Sequence, residues 1–147
     1  MADLTFTIAA AWAGTGPEGE GAIRAGDQQI RYSAPASMGG KGVGTNPEEL
    51  LLSAVTACYS ATLYRVLTSR RLPVARLALR ADGLVENYPD AARFSRIVVH
   101  PTVEGGDPAR TVEYEAAAHR ARDLCFIGRT VRDSLDYAVG TVDVRPA

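Results

Sequence analysis

Apolar and polar positions change rhythm several times along the chain, and each change predicts an element. Leu4 to Trp12 alternates in its first half, as a strand does, and Gly14 to Gly21 (GTGPEGEG) is a turn cluster. Gly21 to Arg24 and Gln28 to Ser33 form a predicted hairpin around Ala25-Gly26-Asp27, followed by a glycine-rich segment, Pro35 to Gly44, expected to be a flexible loop. At Asn46 the period becomes helical. Asn46 is placed as N-cap, Pro47 is the first helical residue, and Glu48 and Glu49 fill the first turn. Leu51, Val55, Cys58, Tyr59, Thr62 and Val66 then share one stripe, so Cys58 is expected to face a packed surface. The helix is predicted to end at Ser69-Arg70-Arg71, ahead of Pro73.

Beyond Pro73 the period returns to two. Val74 to Glu86 and Phe94 to Val103 read as long strands; in the first, Leu77, Leu79 and Ala81 alternate with Arg76, Arg80 and Asp82, the mark of a sheet with one wet face. Helices are predicted from Pro108 to His119 or Leu124 and from Gly128 to Leu135, and a last strand from Tyr137 to Val144. The order βββ-α-ββ-αα-β groups strands and helices instead of alternating them, which predicts an α+β fold over a doubly wound α/β one. A length of 147 residues predicts a single domain, 1–147.

Composition removes several function classes. With 16 basic and 17 acidic residues the net charge is -1, so nothing draws the chain to nucleic acid or to an anionic membrane. The uncharged run Leu50 to Tyr64 is expected to be too short to span a bilayer, and the N-terminus, with Asp3 and no basic residue, does not read as a signal peptide. The bias toward Arg, with Lys41 as the only lysine, carries no function. The chain is expected in the cytoplasm. There Cys58 and Cys125, 67 residues apart, are free buried thiols, metal ligands or a transient redox pair.

Most motifs dissolve on inspection. Gly14-Thr15-Gly16-Pro17-Glu18-Gly19 has the dinucleotide spacing but carries Pro17 and acids where a phosphate would lie, and Gly39 to Thr45 (GGKGVGT) has no lysine directly before its threonine and is followed by Glu48 and Glu49, which would repel a phosphate. Cys58, Cys125, His100 and His119 show no paired spacing for zinc, so no metal and no cofactor is expected; His119 reads as a surface residue. A thiol hydrolase would lack a histidine base. Each cysteine taken alone is accounted for as core filling, and Glu48 as an acid complementing the helix dipole.

Taken together, the residues say more. Gly44-Thr45-Asn46-Pro47-Glu48-Glu49-Leu50, with Cys58 ten residues after Glu48 and Cys125 closing His119 to Cys125, resembles the signature of the OsmC/Ohr family of thiol-dependent hydroperoxide reductases. The resemblance spans essentially the whole chain. It implies an intertwined homodimer with central helices packed against sheets from both subunits and active sites at the interface. It also implies Cys58 as peroxidatic thiolate, Cys125 as resolving cysteine, and Glu48 as the carboxylate orienting an activating arginine. That arginine is missing from both places the family uses: the chain has Gly16-Pro17-Glu18-Gly19 at one and Met38 at the other. Phe126-Ile127-Gly128 also departs from the family's C-P-x-S pattern.

A free thiol titrates near about 8.5, and one three turns into a helix gains little from the N-terminal dipole, so a cation is required. Arg24, Arg31, Lys41 and the partner subunit are the candidate sources. The resemblance implies reduction of organic hydroperoxides, with an external dithiol of lipoyl or other type as reductant. An apolar lining of Leu51, Val55 and Tyr59 is expected to favour alkyl over hydrogen peroxide. The alternative is a small-molecule binding or structural protein of the same fold with weak or no peroxidase activity.

Overall fold

The computed structural model describes residues 1–147, which form two compact units, Met1–Leu51 and Leu52–Ala147. In the first, strands β1 (Ala9–Ala13), β2 (Glu20–Ala25) and β3 (Gln28–Tyr32) make an antiparallel sheet in that order. Gly26, at φ 61°, turns the β2–β3 hairpin, and Ala25 pairs with Gln28 as the glycine signal predicts. The strand expected from Leu4 begins only at Ala9; Leu4, Phe6 and Ile8 remain exposed.

The segment after β3 is not the flexible loop its four glycines suggest. Ser33, fully buried, donates its hydroxyl to the Val43 carbonyl at 2.8 Å and accepts from the Val43 N–H at 2.9 Å. Ser33 N–H bonds to Thr45 O and Thr45 N–H to Arg31 O, both at 3.0 Å, so the loop is stapled to β3 at its base. Gly44 makes this possible. At φ 66° it lies where a Cβ would meet the Arg31 carbonyl oxygen at 2.2 Å, so the loop closes only without a side chain there.

Helix α1 (Pro47–Ser69) starts where the sequence predicts. Asn46 accepts from the Glu49 N–H at 2.8 Å and donates its amide to the Glu49 carboxylate at 2.7 Å, a reciprocal cap that satisfies an otherwise orphaned donor. The helix ends in a Schellman motif: Arg71 N–H reaches Thr68 O at 3.0 Å and Leu72 N–H reaches Leu67 O at 2.9 Å, with Arg71 left-handed at φ 55°. Glycine holds that conformation without a Cβ penalty. Arg71→Gly is therefore expected to stabilise the protein by about 1 kcal/mol, read as a raised denaturation midpoint.

In the second unit, β4 (Arg76–Glu86) pairs antiparallel with β5 (Arg93–Glu104). On its other side β5 pairs in parallel with β6 (Asp136–Val139) and, further along, β7 (Asp143–Arg145). The chain crosses between these parallel strands through α2 (Thr111–Leu124) and α3 (Phe126–Val131). The alternation expected on β4 leaves Arg76, Arg80 and Asp82 exposed and ion-paired, with Leu77, Leu79 and Ala81 partly covered; along β5, Ile97, Val99, Pro101 and Val103 are buried. The single last strand expected from Tyr137 is two, interrupted where Gly140 passes the His100 ring and the Thr141 N–H bonds to His100 Nδ1 at 3.3 Å. The predicted second short helix begins earlier, directly after Cys125.

The core of this unit is built by α1 and α2 over the buried face of β5. Val55, Tyr59, Leu63, Val66 and Leu67 of α1 are buried, as are Tyr114, Ala117, Ala118 and Ala121 of α2. The alanines permit close approach, and Tyr59 donates to the Ala118 carbonyl at 3.0 Å. At 23 residues α1 is also long and apolar enough to cross a bilayer, although the uncharged run within it looked too short. Only six of its residues are buried, so much of its apolar surface is left without cover.

Candidate functional site

Cys58 and Cys125 meet. Cys58 lies three turns into α1 and is half-buried, less than its place on the stripe suggests, because Tyr59 and Val55 take the inward positions. Cys125 is fully buried at the junction where α2 stops and α3 begins. Its N–H closes α2 on Ala121 O and its carbonyl opens α3 to Arg129 N–H, each at 2.9 Å. The two thiols are free and within interacting distance of each other.

The electrostatics of the pair are set by burial. Loss of solvent pushes the Cys125 thiol up to about 11, with the neighbouring Cys58 acting in the same direction, and the N–H groups of Gly128 and Ile127 offset this only in part. At neutral pH Cys125 is a protonated thiol. Two phenols share the region: burial raises both Tyr59 and Tyr137, and Cys125 adds to each.

Glu48 sits in the first turn of α1, and its Oε2 is buried without a hydrogen-bond partner. The cations expected to serve it are engaged or exposed. Arg31 and Lys41 both bind Glu20, at 2.6 and 2.9 Å, and their hydrogen bonds, Arg31's first, hold that carboxyl below its ordinary range. Arg24 is exposed on β2. The expected lining also needs correction, because Val55 and Tyr59 are 0% exposed and have no surface to offer a substrate. His119 is on the surface, as expected.

Sequence reasoning missed Tyr137. It was legible only as a strand residue, yet its hydroxyl is buried, lacks a hydrogen bond, and faces the cysteines. No local signal marks it, since parallel pairing with β5 is what turns its ring toward them.

Two sheets, three helices and a facing thiol pair define an α+β dithiol protein. The profile of the OsmC-like protein family matches residues 39–139, which include Glu48 and both cysteines, and the chain belongs to that family. It is 30% identical over 140 residues to the uncharacterized protein YmaD of Bacillus subtilis (strain 168), covering 92% of each chain. Among solved structures, an OsmC-like protein from Mycoplasma pneumoniae superposes with a TM-score of 0.79 at 18% identity, covering 97% of this chain and 99% of that one. An organic hydroperoxide resistance protein OsmC from Legionella pneumophila gives 0.73 at 21% identity, with coverage of 96% and 99%. At these identities the structures speak for the fold.

Proposed function

We propose that the protein is a cytoplasmic, thiol-dependent peroxidase that reduces organic hydroperoxides. The observation that carries this reading is the contact between Cys58 and Cys125, because a fold that brings its two cysteines together can cycle between dithiol and disulfide. Cys58 is the half-exposed member and meets peroxide first. Its thiolate attacks the distal peroxide oxygen, the O–O bond breaks, the alkoxide takes a proton and leaves as alcohol, and Cys58 becomes a sulfenic acid. Cys125 then forms the S–S bond, the S–O bond breaks, and water leaves. An external dithiol, lipoyl or other, returns both thiols by exchange.

The working unit in this proposal is a homodimer. Tyr64, Leu84, Tyr88 and Phe126 are exposed, and α1 keeps apolar surface uncovered, which a second copy would bury. The partner is also the source we assign for the cation that Glu48 Oε2 lacks. That same bare carboxylate favours the second reading, a small-molecule binding protein of this fold without efficient peroxidase chemistry.

Titrating the reduced protein with cumene hydroperoxide and with hydrogen peroxide separates the two. Stoichiometric loss of both thiols, with the Cys58–Cys125 disulfide found by mass spectrometry and the organic peroxide reacting faster, is the expected result. Thiols that survive stoichiometric cumene hydroperoxide would leave only the binding protein. A mass in solution of about one 15.6 kDa chain would overturn the dimer.

A further inference from the structure

Tyr137 has no part in the steps above, and its surroundings call for one. The side chain is 1% exposed, and its hydroxyl has no hydrogen-bond partner. Buried hydroxyls are almost always satisfied, and this one has only sulfur within its reach. The polar group it reaches is the Cys125 thiol, with Cys58 also acting on it. A neutral thiol sulfur is a weak acceptor and a thiolate a strong one.

The ring is held in place by a specific accommodation. A Cβ on Gly128 would meet Tyr137 Cε2 at 2.1 Å and Cδ2 at 2.9 Å, so the phenol occupies the volume a side chain would take at the start of α3. Tyr59, the other phenol nearby, is already committed to the Ala118 carbonyl and is not free for the task.

We propose, resting on the peroxidase reading, that Tyr137 is a catalytic residue whose hydroxyl donates a hydrogen bond to the Cys125 sulfur whenever that sulfur carries negative charge. This happens twice in the cycle. In resolution, Cys125 gives up its proton as its sulfur attacks the Cys58 sulfenic acid; that proton joins the departing hydroxide as water, and the phenol steadies the charge that develops on Cys125. In reduction, the external dithiol attacks the accessible sulfur, Cys58, since Cys125 is fully buried; the S–S bond breaks and Cys125 leaves as a thiolate bound to Tyr137, then takes a proton from solvent. Burial keeps the phenol protonated throughout, so it acts as a donor and never as a base.

The test reads resolution without peroxide. Reduced protein treated with 5,5′-dithiobis(2-nitrobenzoate) releases one chromophore as Cys58 forms a mixed disulfide and a second as Cys125 displaces it. Tyr137→Phe is expected to lower the ratio of the second rate to the first by about ten- to a hundredfold, the effect of one hydrogen bond to a charged group. The mixed disulfide should accumulate, and the melting temperature should not fall, because the lost hydroxyl had no partner. Tyr59→Phe, which does lose a hydrogen bond, is expected to keep the wild-type ratio. A Tyr137→Phe ratio within twofold of wild type, or equal slowing in Tyr59→Phe, would overturn the proposal.

A parallel arm uses cumene hydroperoxide and a sulfenic acid trap, with trapped Cys58 expected to build up in Tyr137→Phe. If peroxide oxidises neither protein while the ratio still falls, the donor role stands and the peroxidase reading fails. If peroxide oxidises the wild type and Tyr137→Phe resolves as fast, the reverse holds.

Discussion

Cys58→Ser is expected to end peroxide consumption, with the rate falling on the order of 1,000-fold or more, because a serine hydroxyl near neutral pH has neither the charge nor the polarisability of a thiolate. Cys125→Ser should behave differently. It keeps the first oxidation and loses turnover with dithiothreitol, leaving a sulfenic acid that a cyclic dione captures and excess peroxide drives to the sulfinic acid. In the proposed cycle the asymmetry follows from exposure: Cys58 is half-buried and open to peroxide, while Cys125 is fully buried beside Cys58. Coupled peroxide consumption together with mass spectrometry of each variant checks both halves. Full activity in Cys58→Ser would remove the thiol from the reaction, and equal loss of the first oxidation in both variants would remove the division of labour.

The second large effect is on stability. Gly128→Ala drives a methyl group into the Tyr137 ring, 2.1 Å away, at a site where both residues are buried. Overpacking of this kind costs about 2–3 kcal/mol. For a chain of this size that corresponds to a fall in melting temperature of roughly 5–10 °C. Because the clash is with one side chain, the cost is not additive. Gly128→Ala combined with Tyr137→Val should be more stable than the sum of the single changes allows, by about 1 kcal/mol or more. Additive effects in that cycle would show that the strain is relieved elsewhere, and thermal denaturation of the four proteins decides it.

Much of the fold was legible because its signals are local. The Asn46–Glu49 cap lies within four residues, the β2–β3 turn needs only Gly26 in a left-handed conformation, and the exposed side of β4, Arg76, Arg80 and Asp82, is period two read directly. The misreadings arose where distant residues compete. Four glycines between Pro35 and Gly44 read as flexibility, until Ser33 and Arg31 supplied the partners that close the loop. Val55 and Tyr59 read as a substrate lining because periodicity tells which face is apolar and not what covers it; α2 lies over that face.

The candidate site divides along the same line. Glu48, Cys58 and Cys125 became site candidates through the family resemblance of Gly44 to Leu50 and the cysteine spacing; taken one at a time, each is accounted for as helix start or core filling. That the two thiols touch across 67 residues, that one is reachable and the other is not, and that Tyr137 stands behind them were decided by the crossover through α2 and α3 that lays β6 in parallel against β5. The sequence by itself determined most of the elements, the cap at Asn46 and the candidate thiols, since each depends on the few residues around it. The tertiary structure alone decided which of those atoms share a dry space, because burial and hydrogen-bond partnership arise only when separate elements pack.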